Sequence, residues 1–152
     1  MEKGIFIPQD TWLPAVEVEY ESFADYQEAV DGYVEGISIR EPSFTLYVNE
    51  EGKVRGLPIN ARATVLWWKL EPEMRGVDIV VGHAVLVPSS AAARELATMI
   101  DSEGPFRVEE ITVATTPAWR IVNDMRFTNW FQAARHALLL EEHGAITRVV
   151  SA

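Results

Sequence analysis

Apolar and polar residues follow two periods along this chain, one of two residues and one of three to four. Gly4-Ile-Phe-Ile-Pro8 predicts a first strand ended by Pro8, and Trp12 in the following connector is expected to cap the core. Val16-Glu-Val-Glu-Tyr20 alternates strictly. That predicts a strand with Val16, Val18 and Tyr20 inward and Glu17 and Glu19 in water. Ser22 then opens a short helix in which Asp25 replaces the usual capping-box Glu. Phe23, Tyr26 and Val30 form its expected inner stripe, and Gly32 its left-handed stop. Tyr33 to Ile39 reads as another strand, turned by Glu41-Pro42-Ser43 into Phe44 to Val48. Asn49-Glu50-Glu51-Gly52 supplies a polar turn with Gly52 at positive φ, and Lys53-Val54-Arg55 is predicted to return as a hairpin strand with Val54 inward.

Asn60 is a good helix N-cap, because its side-chain oxygen can accept an amide of the first turn. Ala63, Leu66, Trp67 and Leu70 fall on one face of a helix over Ala61 to Leu70, with Trp68 off that stripe. Ile79-Val80-Val81 predicts a strand buried on both faces, interrupted by Gly82 and resumed over Ala84 to Val87. A helix after Ser89 or Ser90 carries Ala92, Leu96, Met99 and Ile100, and Gly104-Pro105 stops it. Phe106 to Ala114 reads as a strand, and Ile121-Val122 as a short one. Thr128 to His143 is the longest helix and Ile146 to Val150 a last strand. The expected fold is α+β: a mixed, mostly antiparallel sheet with helices packed mainly on one face, in a single domain spanning residues 1–152.

The run Val48-Asn-Glu-Glu-Gly-Lys53, then Gly56-Leu-Pro-x-Asn60, then Asp78-Ile-Val-Val-Gly82 resembles the DUF3846 family over roughly residues 20–87. The resemblance implies a small domain of unknown function found in phages, plasmids and bacteria, notably actinobacteria. It brings no activity, cofactor or catalytic residue. Residues 88–152 stand outside it as a helix-strand-helix-strand extension, with any boundary expected near Pro88.

The chain has 152 residues, no cysteine and a formal net charge of −10. Lack of cysteine excludes disulfides, Cys-ligated zinc, iron–sulfur clusters and a thiol nucleophile, and fits a cytoplasmic setting. No apolar run approaches the roughly 20 residues that span a bilayer, and no signal peptide is expected. The negative charge argues against direct binding of nucleic acid or of an anionic membrane. It is also unevenly spread. Between Lys3 and Arg40 there is no Lys, Arg or His, while Asp10, Glu17, Glu19, Glu21, Asp25, Glu28, Asp31 and Glu35 all fall there.

No motif of a known catalytic class is present. His136 and His143, seven residues apart on one helix, stand ~10 Å apart and are too distant to share a metal. Glu141-Glu142-His143 weakly invites a metal but reads as solvated surface. No metal or cofactor is expected. Glu50-Glu51 with Lys53 reads as a solvated turn, and Trp130-Phe131 and Trp67-Trp68 as core or flank aromatics. Two site readings remain. Glu17, Glu19, Asp25, Glu28 and Trp68 are candidates for a surface that binds a protein partner, such as a host nucleic-acid-binding or defence protein. Asn60, Arg62 and His83 are the candidate polar lining of a pocket that would hold a small ligand or substrate. The leading expectation is a non-enzymatic accessory protein of the phage or mobile-element type. An enzyme or small-ligand binder, and a homo-oligomeric structural protein, are the alternatives.

Overall fold

The structure, a computed structural model, describes residues 2–111, 118–121 and 125–152. The chain divides into two compact units, residues 1–101 and 102–152. The division therefore falls after the helix that follows Pro88, not at Pro88 itself. Each unit is an α+β arrangement with its own antiparallel sheet.

The first unit runs β1 (Glu2–Ile7), β2 (Val16–Tyr20), α1 (Phe23–Val30), β3 (Val34–Ile39), β4 (Phe44–Asn49), α2 (Ala61–Leu70), a 3-10 turn (Pro72–Met74), β5 (Ala84–Pro88) and α3 (Ala91–Asp101). The sheet order is β2-β1-β5-β4-β3, with every pairing antiparallel. The last strand in sequence, β5, is thus the middle one in space. Its Ala84, Val85, Leu86 and Val87 are all buried, as a strand covered on both faces requires.

Directly paired residues share a face of the sheet. Ile5 pairs with Leu86, and Leu86 with Leu46. These three are at most 2% exposed and form the centre of an aliphatic face that Ile7, Ile39 and Phe44 extend. The opposite face carries Val85, Val87 and Tyr47, and α1 packs there through Tyr26. Tyr26 stacks between Tyr20 and Tyr47 at centroid distances of 4.8 and 4.3 Å. Its hydroxyl donates to Glu2 Oε1 at 2.5 Å. Burying each such side chain contributes on the order of 1.5–3 kcal/mol.

Several expectations need correction. Lys53-Val54-Arg55 does not return as a strand. β4 already pairs with β3 on one edge and β5 on the other, so neither edge is open to it. The chain instead coils through backbone bonds such as Arg55 N to Glu51 O at 2.8 Å, and Val54 is 92% exposed. Ile79-Val80-Val81 is not a strand either; it makes a single bridge, Val81 to Ile59, although Val80 and Val81 are buried. Val16 and Val18 are exposed because β2 is an edge strand and α1 lies over β4 and β5. Only Tyr20, at the end of β2, reaches the ring stack. Phe23 and Trp12 are exposed as well. The left-handed stop of α1 is Asp31 (φ 59°) rather than Gly32. Asp25 does cap α1, accepting from the amides of Glu21 and Ser22. Gly52 is needed for closeness and not for positive φ: a Cβ there would stand 2.8 Å from Val81 Cγ2.

The second unit comprises β6 (Phe106–Ile111), β7 (Trp119–Ile121), α4 (Trp130–Glu141) and β8 (Thr147–Ser151). Its strand order is β7-β6-β8, all antiparallel, and α4 packs on β6 and β8. Asn129 caps α4 by accepting from Gln132 N at 3.0 Å. Trp130 and Phe131 are both buried, meeting edge to face at 5.7 Å. Neighbouring residues share the core because Ala133, Ala134 and Ala137 let this helix lie close and bury a broad face. The predicted extension of β6 to Ala114 and the strand residue Val122 lie outside the described residues.

Candidate functional site

The two stretches that carry the family resemblance meet in space. Glu35, Val48, Glu50, Lys53, Asp78 and Val81 border one cavity of about 70 Å³. That is room for about two waters and far below the roughly 300–1,000 Å³ of ordinary ligand sites. Lys53 Nζ donates to Asp78 Oδ1, and Ile79 N donates to the same oxygen at 2.8 Å. The Lys53 hydrogen bond, against the opposing cost of burial, holds the Asp78 carboxyl below its ordinary range. Trp68 Nε1 donates to the Asp78 carbonyl at 2.7 Å, so the candidate docking tryptophan has its polar end tied inward. Asn49 closes the region from the other side. Its Nδ2 donates to Val30 O at 2.9 Å and its Oδ1 accepts from Glu51 N at 2.8 Å. The motif residues thus tie β4, α1 and the 78–82 segment to one another.

Asn60, Arg62 and His83 are also brought together, around the chain leaving β1. Asn60 is wholly buried. Its Nδ2 donates to Ile7 O and Gly82 O, both at 2.9 Å, and its Oδ1 accepts from Ala63 N at 3.1 Å. Both amide protons and the carbonyl are therefore engaged. Arg62 donates to Pro8 O at 2.9 Å and Asp10 O at 3.1 Å, and burial lowers its pKa. His83 Nδ1 accepts from Gln9 N at 3.1 Å, and its ring lies 5.3 Å from that of Phe6. These polar atoms hold the backbone of residues 7–10 and 82.

The acidic candidates are split. Glu17 and Glu19 share the face of Ile5, opposite the one on which α1 lies with Asp25 and Glu28. Glu17 approaches Lys3 at 3.8 Å, and Lys3 pairs across the strands with Glu19. Asp25 is occupied in its cap. Glu28 borders an open groove with Tyr33 and Arg55. Glu17 borders a different groove of about 390 Å³, with Lys3, Arg94 and Thr98. Among the described residues, no cluster of three or more His, Asp or Glu is arranged to hold a metal, and no helix is long and apolar enough to cross a membrane.

Sequence reasoning passed over one ionic cluster, in the second unit. Buried Glu109 accepts from Arg148 Nε at 2.9 Å and Arg107 at 3.0 Å. The Arg148 guanidinium stands 4.4 Å from the centre of the Trp119 ring. The Arg148 hydrogen bond, with help from Arg107, outweighs burial and keeps the Glu109 carboxyl below its ordinary range. The i, i+2 spacing of Arg107 and Glu109 on β6 was the available signal. Arg148, 39 residues later, was not placeable without the pairing of Glu109 with Arg148.

A family described as Domain of unknown function (DUF3846) matches residues 1–102. The chain belongs to the DUF3846 family. The match reaches beyond the 20–87 span of the motif residues and coincides with the first compact unit, residues 1–101. The DUF3846 region therefore includes β1, β2 and α3, and the second unit lies outside it. No curated protein and no solved structure matches the chain.

Proposed function

We propose that this DUF3846 protein is a non-enzymatic accessory protein of the phage or mobile-element type. It acts in the cytoplasm by docking on a protein partner, such as a nucleic-acid-binding or defence protein with a basic surface. The observation that carries this reading is the region from Trp12 to Phe23. There Trp12, Leu13, Val16, Val18 and Phe23 are all exposed, interleaved with Glu17, Glu19 and Glu21. Exposed apolar side chains gathered in one short stretch, with carboxylates on the other face of the same strand, are a feature of surfaces that meet other proteins. The polar residues that would have lined a pocket, Asn60, Arg62 and His83, spend their hydrogen bonds on the chain's own backbone.

Affinity purification from the native host tests this, comparing the wild type with Glu17→Lys/Glu19→Lys/Asp25→Lys/Glu28→Lys. Loss of specific partners from the charge-reversed protein is the expected result. A partner list that does not change removes the acidic residues from the account.

A further inference from the structure

We infer that the outer edge of β2 receives an extended segment of the partner as an added antiparallel strand, and that this segment alternates basic and apolar residues. The inference rests on the partner-docking reading above and specifies its geometry. β2 ends the five-stranded sheet: β1 pairs with one of its edges, and no described residue pairs with the other. An open edge offers a row of backbone donors and acceptors to an incoming strand. The side chains of β2 then set what that strand must carry. Val16 and Val18 stand on one face, 42% and 36% exposed. Glu17 and Glu19 stand on the other.

The inner neighbour of β2 displays part of a matching solution. Lys3 of β1 sits directly across from Glu19 and 3.8 Å from Glu17, and Phe6 sits across from Val16, while Ile5 faces Glu17 and Gly4 faces Val18. An outer strand with cations beside both glutamates and apolar groups beside both valines extends the Lys3 and Phe6 contacts. A second copy of this chain does not fit the same edge. Antiparallel pairing of β2 with itself about Val18 sets Glu17 of each copy opposite Glu19 of the other, and like charges directly opposite one another are unfavourable. The glutamates thus reject self-pairing and select a basic strand. β3, the edge strand on the far side, presents Gly36 and Ser38 to solvent and has no comparable apolar grip.

The test uses the full-length protein and a capped peptide of about ten residues alternating lysine and valine. Binding is read by fluorescence anisotropy, and amide hydrogen exchange locates it. The expected result is binding that slows exchange at residues 16–20, weakens by about tenfold or more in Glu17→Lys/Glu19→Lys, and is absent for a glutamate–valine peptide. Glu17→Gln/Glu19→Gln, a milder change at two exposed positions, should weaken it less. A peptide N-methylated at every amide has both edges blocked and cannot form the ladder; if it binds equally well, attraction is by charge alone and strand addition is wrong. Binding unaffected by either double substitution also overturns the inference. So does a concentration-dependent dimer in light scattering that is lost in Val18→Pro, since the occupant is then a second copy. If the host partner is lost on charge reversal but the peptide fails to bind, strand addition falls while partner docking stands. An unchanged host partner list removes the docking reading itself.

Discussion

β2 and β4 have similar length and similar alternation, yet they end in opposite environments. β2 repeats Val-Glu-Val-Glu-Tyr without a flaw, and four of its five residues are exposed. β4 reads Phe-Thr-Leu-Tyr-Val-Asn, a less regular pattern, and none of its residues is exposed. The difference is neighbours. β4 has a strand on each edge, an aliphatic layer on one face and the tyrosine stack of α1 on the other. β2 has a strand on one edge and stacks its Tyr20 on Tyr26 of α1. Alternation states which side chains share a face; it does not state whether anything covers that face.

The largest effect that would break this contrast is at Leu46, which is wholly buried in β4. Leu46→Ala should destabilise the protein by about 3 kcal/mol, read from urea unfolding. A loss under about 1 kcal/mol would mean the aliphatic face is loosely packed. Asn60→Ala should cost about 2–3 kcal/mol, since it strands the carbonyls of Ile7 and Gly82 and removes the cap on Ala63 N. A near-neutral result would show that solvent reaches this junction.

Titration sharpens the comparison further. Burial, with a smaller contribution from Asp25, raises the Tyr20 pKa from 10.0 to about 12. A folded value above the unfolded one gives stability that is complete below pH 10 and is lost as pH rises towards 12. Tyr20→Phe should remove that contribution to the alkaline loss. At neutral pH it should change stability by less than about 1 kcal/mol, because the buried hydroxyl has no hydrogen-bond partner among the described residues. Thermal melts at neutral and alkaline pH check both parts. In the second unit the sign is reversed. Glu109 has a lowered pKa, so its contribution is present above 4.5 and is lost as pH falls through the folded value. Glu109→Gln should flatten the acid limb of unfolding followed by tryptophan fluorescence. The smallest effect belongs to β2 itself: Val18→Ala should shift stability by no more than about 0.5 kcal/mol, as at an exposed position. A larger cost would show that this edge is covered in solution.

Local chemistry was legible where a residue acts on its own neighbours. Asn60 and Asn129 cap α2 and α4, Asp25 caps α1, and of the apolar stripe Ala63, Leu66, Trp67 and Leu70 the first three are buried and Leu70 is half-buried. The candidate set Asn60, Arg62 and His83 does come together, but its partners are backbone atoms of residues 7–10 and 82, some 50 to 75 positions away from them in the longest cases. No spacing rule encodes such a meeting.

The amino-acid order by itself determined the helix starts and which residues of a strand share a face, since those follow from forces acting over a few residues; it did not settle every apolar stripe, because Phe23 and Ala92 are exposed. Only the tertiary structure decided that β5 enters between β1 and β4. That single insertion leaves no edge of β4 for Lys53-Val54-Arg55, puts β2 at the rim and exposes its valines. The physical reason is that strand pairing and burial depend on which distant segments occupy an edge or face in the folded chain, a competition that a local pattern does not contain.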